Sequence, residues 1–323
     1  VSAVAHDGVV LSGTGGVWRV QLSHGPVVDA SLRGRLKKGE DRGRAAREDE
    51  RTVKLAVGDR VQVETQPGPD GALVHSIAHI VPRRSQLARR APGRAFGERV
   101  VVANLDEVLV VFAVANPEPH PRMLDRFLVI AEANDLAARI VVNKCDLVDR
   151  PAASARFADY ERAGYPLHYT SVLEGTGLEA LREAVQARVS ALTGPSGVGK
   201  SSLMNALFPG LTLRVGAISE SVNKGRHTTV GALLHPLPGG GYVADTPGLR
   251  EVGLWGIEVG EVAACFPELR PYLDGCRFGD CTHLVEPGCA VRDAVEAGWV
   301  SRARWESYAK LRQELAGAVP ADR

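Results

Sequence analysis

The stretch GPSGVGKS at 194–201 constrains this chain more than any other feature. It fits GxxxxGK[ST] and sits between the strand-like run SALT and the helix-like run SSLMNALF, the context such a phosphate loop needs. Glycines let backbone N–H groups converge on phosphate oxygens, and the following helix adds the positive end of its dipole. The Lys200 ammonium suits the β- and γ-phosphates, and the Ser201 hydroxyl suits Mg²⁺. Gly194, Pro195, Ser196, Gly197, Val198, Gly199, Lys200, Ser201 and Ser202 are therefore candidate nucleotide contacts. A strand–loop–helix of this kind belongs in an α/β layer.

The order of the other motifs is unusual. VVNKCDL, 141–147, precedes the loop by about fifty residues. In this stretch the Asp146 carboxylate can accept two hydrogen bonds from guanine, which adenine cannot offer. The Lys144 stem can lie over the ring, and Asn143 can brace the loop. At Thr170-Ser171-Val172, a backbone amide after a strand can meet the guanine O6, so Ser171 and Val172 join the candidates. Asp245-Thr246-Pro247-Gly248 follows the loop: Asp245 is placed for Mg²⁺, and the Gly248 amide for the γ-phosphate.

Between loop and DTPG, Thr228 and Thr229 both offer a hydroxyl to Mg²⁺, with Thr229 preferred. Where many GTPases carry a water-orienting glutamine, this chain has Leu249, so His227 is the nearest catalytic candidate. A merely solvent-exposed His227 remains an open reading. Gly197 stands where potassium-dependent GTPases carry Asn.

Around this core the texture changes twice. Residues 1–82 hold short β-like runs (GVVL, VWRVQL, TVKLAV, DRVQVET, LVHSIAHIV) punctuated by Gly, Asp and Pro, as in a small barrel or sandwich. The charged insert at 31–51 reads as a solvated loop, and the arginine-rich PRRSQLARRAPGR at 82–94 as a linker, either plain or phosphate-contacting. From 100 onward the pattern is α/β. VLVVFAVA (108–115) and ARIVVNK (138–144) are buried strands. RMLDRFLVIAEAND (122–135) is a helix with Met123, Phe127, Ile130 and Ala131 on its inner stripe, and LEALREAVQARV (178–189) is another. GALLHPL and GYVADTPG add strands to a mainly parallel sheet. At 299–318, Val300, Arg304, Tyr308, Leu311 and Leu315 recur at helical spacing behind Ser301, a plausible cap.

Cys276, Cys281, His283 and Cys289 are spaced C-x4-C-x-H-x5-C. Three thiolates and an imidazole fill a tetrahedral zinc shell with no open position, which marks a structural site of one zinc per chain. Cys145 and Cys265 read as small buried residues. Charge is asymmetric: sixteen Lys and Arg face ten Asp and Glu in residues 1–95, although the whole chain carries only +1. A basic amino-terminal part favours phosphate-rich partners. The first residues lack a secretory pattern and there is no apolar run of about 18 residues, so a cytoplasmic protein without membrane contact is expected.

Base-reading motif, phosphate loop, then DTPG, flanked by a β-rich amino-terminal part and a Cys3His part, resembles the circularly permuted GTPases of small-ribosomal-subunit biogenesis, the ribosome small subunit-dependent GTPase A family. The resemblance implies a multidomain chain. An OB-fold barrel that binds RNA would span 1–82 and a basic linker 83–99. A circularly permuted P-loop GTPase would span 100–254, and a mainly helical zinc-binding domain 255–323. It further implies Mg²⁺-dependent GTP hydrolysis, GTP and GDP as ligands, and the small ribosomal subunit and its rRNA as partners of a monomer. In that family the histidine of a GRHTT segment is proposed to act in hydrolysis, matching His227. Two other readings compete: an RNA-binding module whose nucleotide site only regulates docking, and an ATP-dependent enzyme.

Overall fold

Alternating apolar residues close the amino-terminal strands into a barrel. The computed structural model describes residues 4–33, 54–69, 71–90, 98–211, 232–245 and 257–318. They fall into two compact units: Val1–Asp106 with Ala187–Ala191 and Gly225–Gly248, and Glu107–Gln186 with Leu192–Lys224 and Leu249–Arg323. Most of the charged insert, part of the linker, and His227, Thr228, Thr229 and Gly248 lie outside the described residues.

In the first unit, β1 (Val4–Thr14), β2 (Val17–Leu22), β3 (Val27–Leu32), β4 (Arg60–Pro67) and β5 (Leu73–Ile80) close in the order β1-β2-β3-β5-β4. β3 and β5 run parallel while the other pairs are antiparallel, the topology of an OB-fold. Val10, Val20, Ala30, Val61, Val63 and Ile77 fill the interior, one from every second position as the pleat requires.

Two sequence expectations change here. TVKLAV supplies no strand among its described residues: 54–56 are irregular and lead into a turn at Val57-Gly58, although Leu55, Ala56 and Val57 are buried. VVDASL, not singled out in the sequence, provides β3. The cause is Asp59, fully buried, whose carboxylate accepts from the Ala56 amide at 2.7 Å and from Arg83 at 2.7 and 2.9 Å. That network bends the chain back where propensity alone would extend it. Arg83 belongs to the arginine-rich segment, which is more than a connector: β6 (Gln86–Arg90) pairs antiparallel with β7 (Glu98–Ala103). Gly58 has φ +87°, and a Cβ there would meet the Ala103 carbonyl at 2.2 Å, so this close approach requires glycine.

The remaining strands form a six-stranded sheet in the order β10-β9-β8-β11-β13-β12. These are β8 (Glu107–Ala113), β9 (Ala137–Asn143), β10 (Leu167–Tyr169), β11 (Val189–Thr193), β12 (Leu233–Pro236) and β13 (Tyr242–Asp245). β8, β9 and β10 pair in parallel, and every residue of β8 is buried, as its continuous apolar run requires. β12 and β13 form an antiparallel hairpin around the Gly-rich turn.

The helices are α1 (Pro121–Ala133), α2 (Arg150–Arg162), α3 (Leu178–Val185), α4 (Lys200–Leu207), α5 (Ala290–Glu296) and α6 (Arg302–Ala318). On α1 the inner stripe is Leu124, Phe127, Leu128 and Ala131; Met123 is exposed, so the stripe read from the sequence was rotated by about one position. The helix at 178–189 stops at Val185, because Ala187 takes φ +58° and the chain turns into β11. Among the described residues no helix is long and apolar enough to cross a membrane.

Candidate nucleotide and metal sites

The three carboxyl-terminal ends of β9, β10 and β11 carry the motifs that the sequence scatters. Gly194 leaves β11 with φ +133°, and a Cβ there would meet the Val111 carbonyl of β8 at 2.0 Å. Glycine thus lets the phosphate loop start flush against the strand beside it. Gly197 and Gly199 also take positive φ, at +80° and +90°, turning the loop into α4. Lys200 and Ser201 open that helix, both buried. The Lys200 ammonium donates to the Gly194 and Pro195 carbonyls, at 2.8 and 2.5 Å, and so stands over the loop.

Asn143, the last residue of β9, is buried and braces two neighbours at once. Its Nδ2 donates to the Val198 carbonyl at 2.9 Å, and its Oδ1 accepts from the Thr170 hydroxyl at 3.1 Å. Lys144 follows with φ +62°, a left-handed conformation uncommon for lysine, and its Nζ donates to the Asn116 carbonyl. Cys145–Leu147 is a short 3₁₀ turn that presents Asp146. The Asp146 carboxylate accepts from the Ser171 hydroxyl, which in turn accepts from the Glu174 amide at 3.2 Å. The Ser171 amide itself donates to the Thr176 carbonyl at 3.1 Å. Val172, half-buried, is the next backbone amide along.

Asn143 is therefore joined to the phosphate loop and Asp146 to Ser171, while Lys144 is anchored on the Asn116 carbonyl after β8. Asp245 ends β13, opposite Leu233 of β12. Sequence reasoning missed the Asn116 carbonyl and the Ser171–Asp146 bond, because a main-chain acceptor leaves no residue signature and one serine is no motif.

The Cys276, Cys281 and Cys289 sulfurs and one His283 ring nitrogen all lie within 4.8 Å of one another. His283 Nδ1 is 3.4 Å from Cys276 Sγ and 3.5 Å from Cys289 Sγ. Burial pushes the Cys281 thiol up to about 12 and raises Cys289 too, so thiolates this close need a compensating cation. The donor set, soft and closed, fits zinc.

The ligand loop is held from two sides. Glu286 accepts from the Thr282, Leu284 and Val285 amides at 2.9 to 3.1 Å and from the Thr282 hydroxyl; that hydroxyl leads the bonds holding its carboxyl far below the usual range. From α6, Trp305 Nε1 donates to the His283 carbonyl at 2.9 Å and the Tyr308 hydroxyl to that of Thr282 at 2.6 Å. Cys145 is half-buried and Cys265 buried, both free.

The model of the RsgA GTPase family matches residues 80–255. The small ribosomal subunit biogenesis GTPase RsgA of Gemmatimonas aurantiaca is 65% identical over 310 residues, spanning 96% of this chain and 97% of that protein. Its counterpart from Bacteroides fragilis is 36% identical over 310 residues, spanning 95% and 96%. Among solved structures, YjeQ from Thermotoga maritima superposes with a TM-score of 0.77 at 34% identity, over 97% of this chain and 99% of that one. YloQ, a circularly permuted GTPase, superposes with a TM-score of 0.71 at 25% identity, over 99% and 98%. With permuted motif order, fold and sequence in agreement, this chain belongs to the RsgA GTPase family.

Proposed function

We propose that this chain hydrolyses GTP in the biogenesis of the small ribosomal subunit, binding that subunit and its rRNA as a cytoplasmic monomer. The observation that supports the nucleotide site best is Asn143, whose one side chain ties the base-reading turn to the phosphate loop and to Thr170. Motifs far apart in an unusual order thereby share one rigid brace.

In this reading, the backbone amides of 194–199 and the Lys200 ammonium take the phosphates, with Ser202 following on α4. Asp146 reads guanine, oriented by the Ser171 hydroxyl; the Lys144 stem lies along the base, and the Val172 amide meets O6. Mg²⁺ neutralises charge on the β- and γ-phosphates when bound. Ser201 offers it a hydroxyl at the start of α4, and from motif order Asp245 and Thr229 are its other protein ligands. Gly248 senses the γ-phosphate and His227 orients the attacking water; these two assignments rest on sequence alone. Cys276, Cys281, His283 and Cys289 hold one structural zinc. The boundaries 1–82, 83–99, 100–254 and 255–323 are kept as the functional division, with RNA contacts through the barrel and the zinc-binding part.

The test is GTP hydrolysis with and without purified small subunits. Stimulation by the subunit is expected. Turnover that stays negligible with subunits present would instead make the chain an RNA-binding module with a regulatory nucleotide site.

A further inference from the structure

The segment that leaves β8 belongs to none of the recognised motifs, yet it touches two of them. Its Asn116 carbonyl accepts from the Lys144 ammonium. Its Pro117 faces the phosphate loop: a Cβ added at Gly197 would come to 3.7 Å from the Pro117 ring. The same segment is gripped by α2. Arg156 Nη1 donates to the Val114 carbonyl at 2.7 Å and to Glu118 at 3.0 Å, and the Tyr160 hydroxyl donates to the Pro121 carbonyl at 3.2 Å. Val114 is fully buried, and its amide donates to the Asn143 carbonyl at 2.8 Å.

We propose that residues 114–117 form a further wall of the nucleotide pocket and that Arg156 is the positioning residue that sets this wall. Lys144 can act as a rail for the base only if both its ends are fixed. One end is its backbone, held in the left-handed region after β9; the other is its ammonium, anchored on Asn116. The position of Asn116 follows from Val114 two residues earlier, which is pinned on one side by Asn143 and on the other by Arg156.

A guanidinium bonded to a main-chain carbonyl at a strand end satisfies an acceptor that the strand has just abandoned, and a charge-assisted bond of this kind is among the stronger ones. The Arg156–Glu118 pair adds little, because Glu118 is largely exposed. Arg156 is therefore a group outside the pocket whose removal loosens the residue that covers the base.

The inference rests on Lys144 and the 194–201 loop being nucleotide contacts, so the test carries a reference variant for that reading. Dissociation of a fluorescent GDP analogue from the full zinc-loaded chain is followed by stopped flow. Arg156→Ala is expected to release GDP about tenfold faster, the loss of one charge-assisted bond. Arg156→Lys, which keeps one donor for Val114, stays within about threefold, and Glu118→Gln within about twofold. In steady state, KM for GTP rises in Arg156→Ala while kcat changes by less than about twofold.

Lys144→Ala is the reference and should release GDP fast. If it does and Arg156→Ala releases GDP at the parental rate, the positioning role is wrong and the Lys144 reading stands. If neither is fast, the Lys144 reading fails and takes the inference with it. A parallel fall of kcat in Arg156→Ala would assign Arg156 to general stability and overturn the proposal, as would an equal acceleration in Glu118→Gln.

Discussion

Asp146 illustrates how a residue identity becomes a chemical choice. Its carboxylate is a pure acceptor, and the Ser171 hydroxyl holds one oxygen in place. Converting it to an amide should exchange a guanine reader for a xanthine reader, since the new NH₂ donates to the xanthine O2. Asp146→Asn is expected to lose GDP affinity by about 2 kcal/mol or more while gaining xanthosine diphosphate, measured by competition with a labelled nucleotide. Unchanged guanine preference would remove Asp146 from the pocket.

Gly194 makes the complementary point about backbone. With φ +133° and the Val111 carbonyl 2.0 Å from any added Cβ, Gly194→Ala should destabilise the chain by more than about 2 kcal/mol, seen as a lowered urea midpoint without nucleotide. These motif residues were legible in the sequence because phosphate and base chemistry dictate their types. Arg156 and Asn116 were not, since an arginine that serves a carbonyl resembles any surface arginine.

At the scale of elements, legibility followed burial. β8 and β9 read clearly because a strand covered on both faces must be continuously apolar. TVKLAV looked equally good, yet a buried Asp59–Arg83 pair outweighs its propensity, and no local pattern reveals an ion pair formed across 24 residues. Arg304 shows the same limit on α6. It fell on the apolar stripe, and the structure buries it: Nε and Nη2 meet Glu268 at 2.6 and 3.2 Å, Nη1 meets Asp125, and the guanidinium lies 4.7 Å from the Phe266 ring centre. Burial pushes the Asp125 carboxyl up, and the Arg304 charge opposes that.

Arg304→Ala should therefore cost about 3–5 kcal/mol, because two buried carboxylates lose their only shared cation among the described residues. Urea unfolding of the zinc-loaded protein measures it, and a loss under 1 kcal/mol, roughly the surface-pair range, would show the site to be wet. Ser301, read as a cap, directly precedes α6, its carbonyl accepting from the Trp305 amide at 3.0 Å, and its hydroxyl donates to Asp159 at 2.5 Å. On the ligand loop, Glu286 supports His283, whose φ of +60° needs such bracing. Glu286→Ala should release zinc to a chelator about ten times faster with all four ligands intact, read with a metal-sensitive dye.

At the scale of the whole molecule, the boundaries drawn from texture and the physical connections diverge. A division at residue 100 separates a barrel from an α/β part in composition, and it matches the functional reading. The hydrogen bonds of the first unit cross that point repeatedly. The Ala103 amide donates to the Val57 carbonyl at 2.8 Å, Asn104 Nδ2 donates to the Gly58 carbonyl at 3.0 Å, and the Arg84 amide donates to Asn104 Oδ1 at 3.0 Å. Asp106 exchanges two 2.8 Å bonds with Val189 at the start of β11, the strand that delivers the phosphate loop.

A chain cut to begin at residue 100 would keep every nucleotide motif but remove the first two residues of β7, strip β6 from it and leave the buried Ala103 amide and Asn104 side chain without these partners. Each unpaired buried group costs about 1–3 kcal/mol. The truncated protein is expected to melt well below the full chain and to bind GDP more weakly, even though no residue assigned to the nucleotide is missing. Equal melting and equal GDP affinity would mean that the barrel is detachable and that its bonds to 103–106 carry no stability. A lower melting point with full affinity would separate the two roles, leaving β11 correctly placed without the barrel's support.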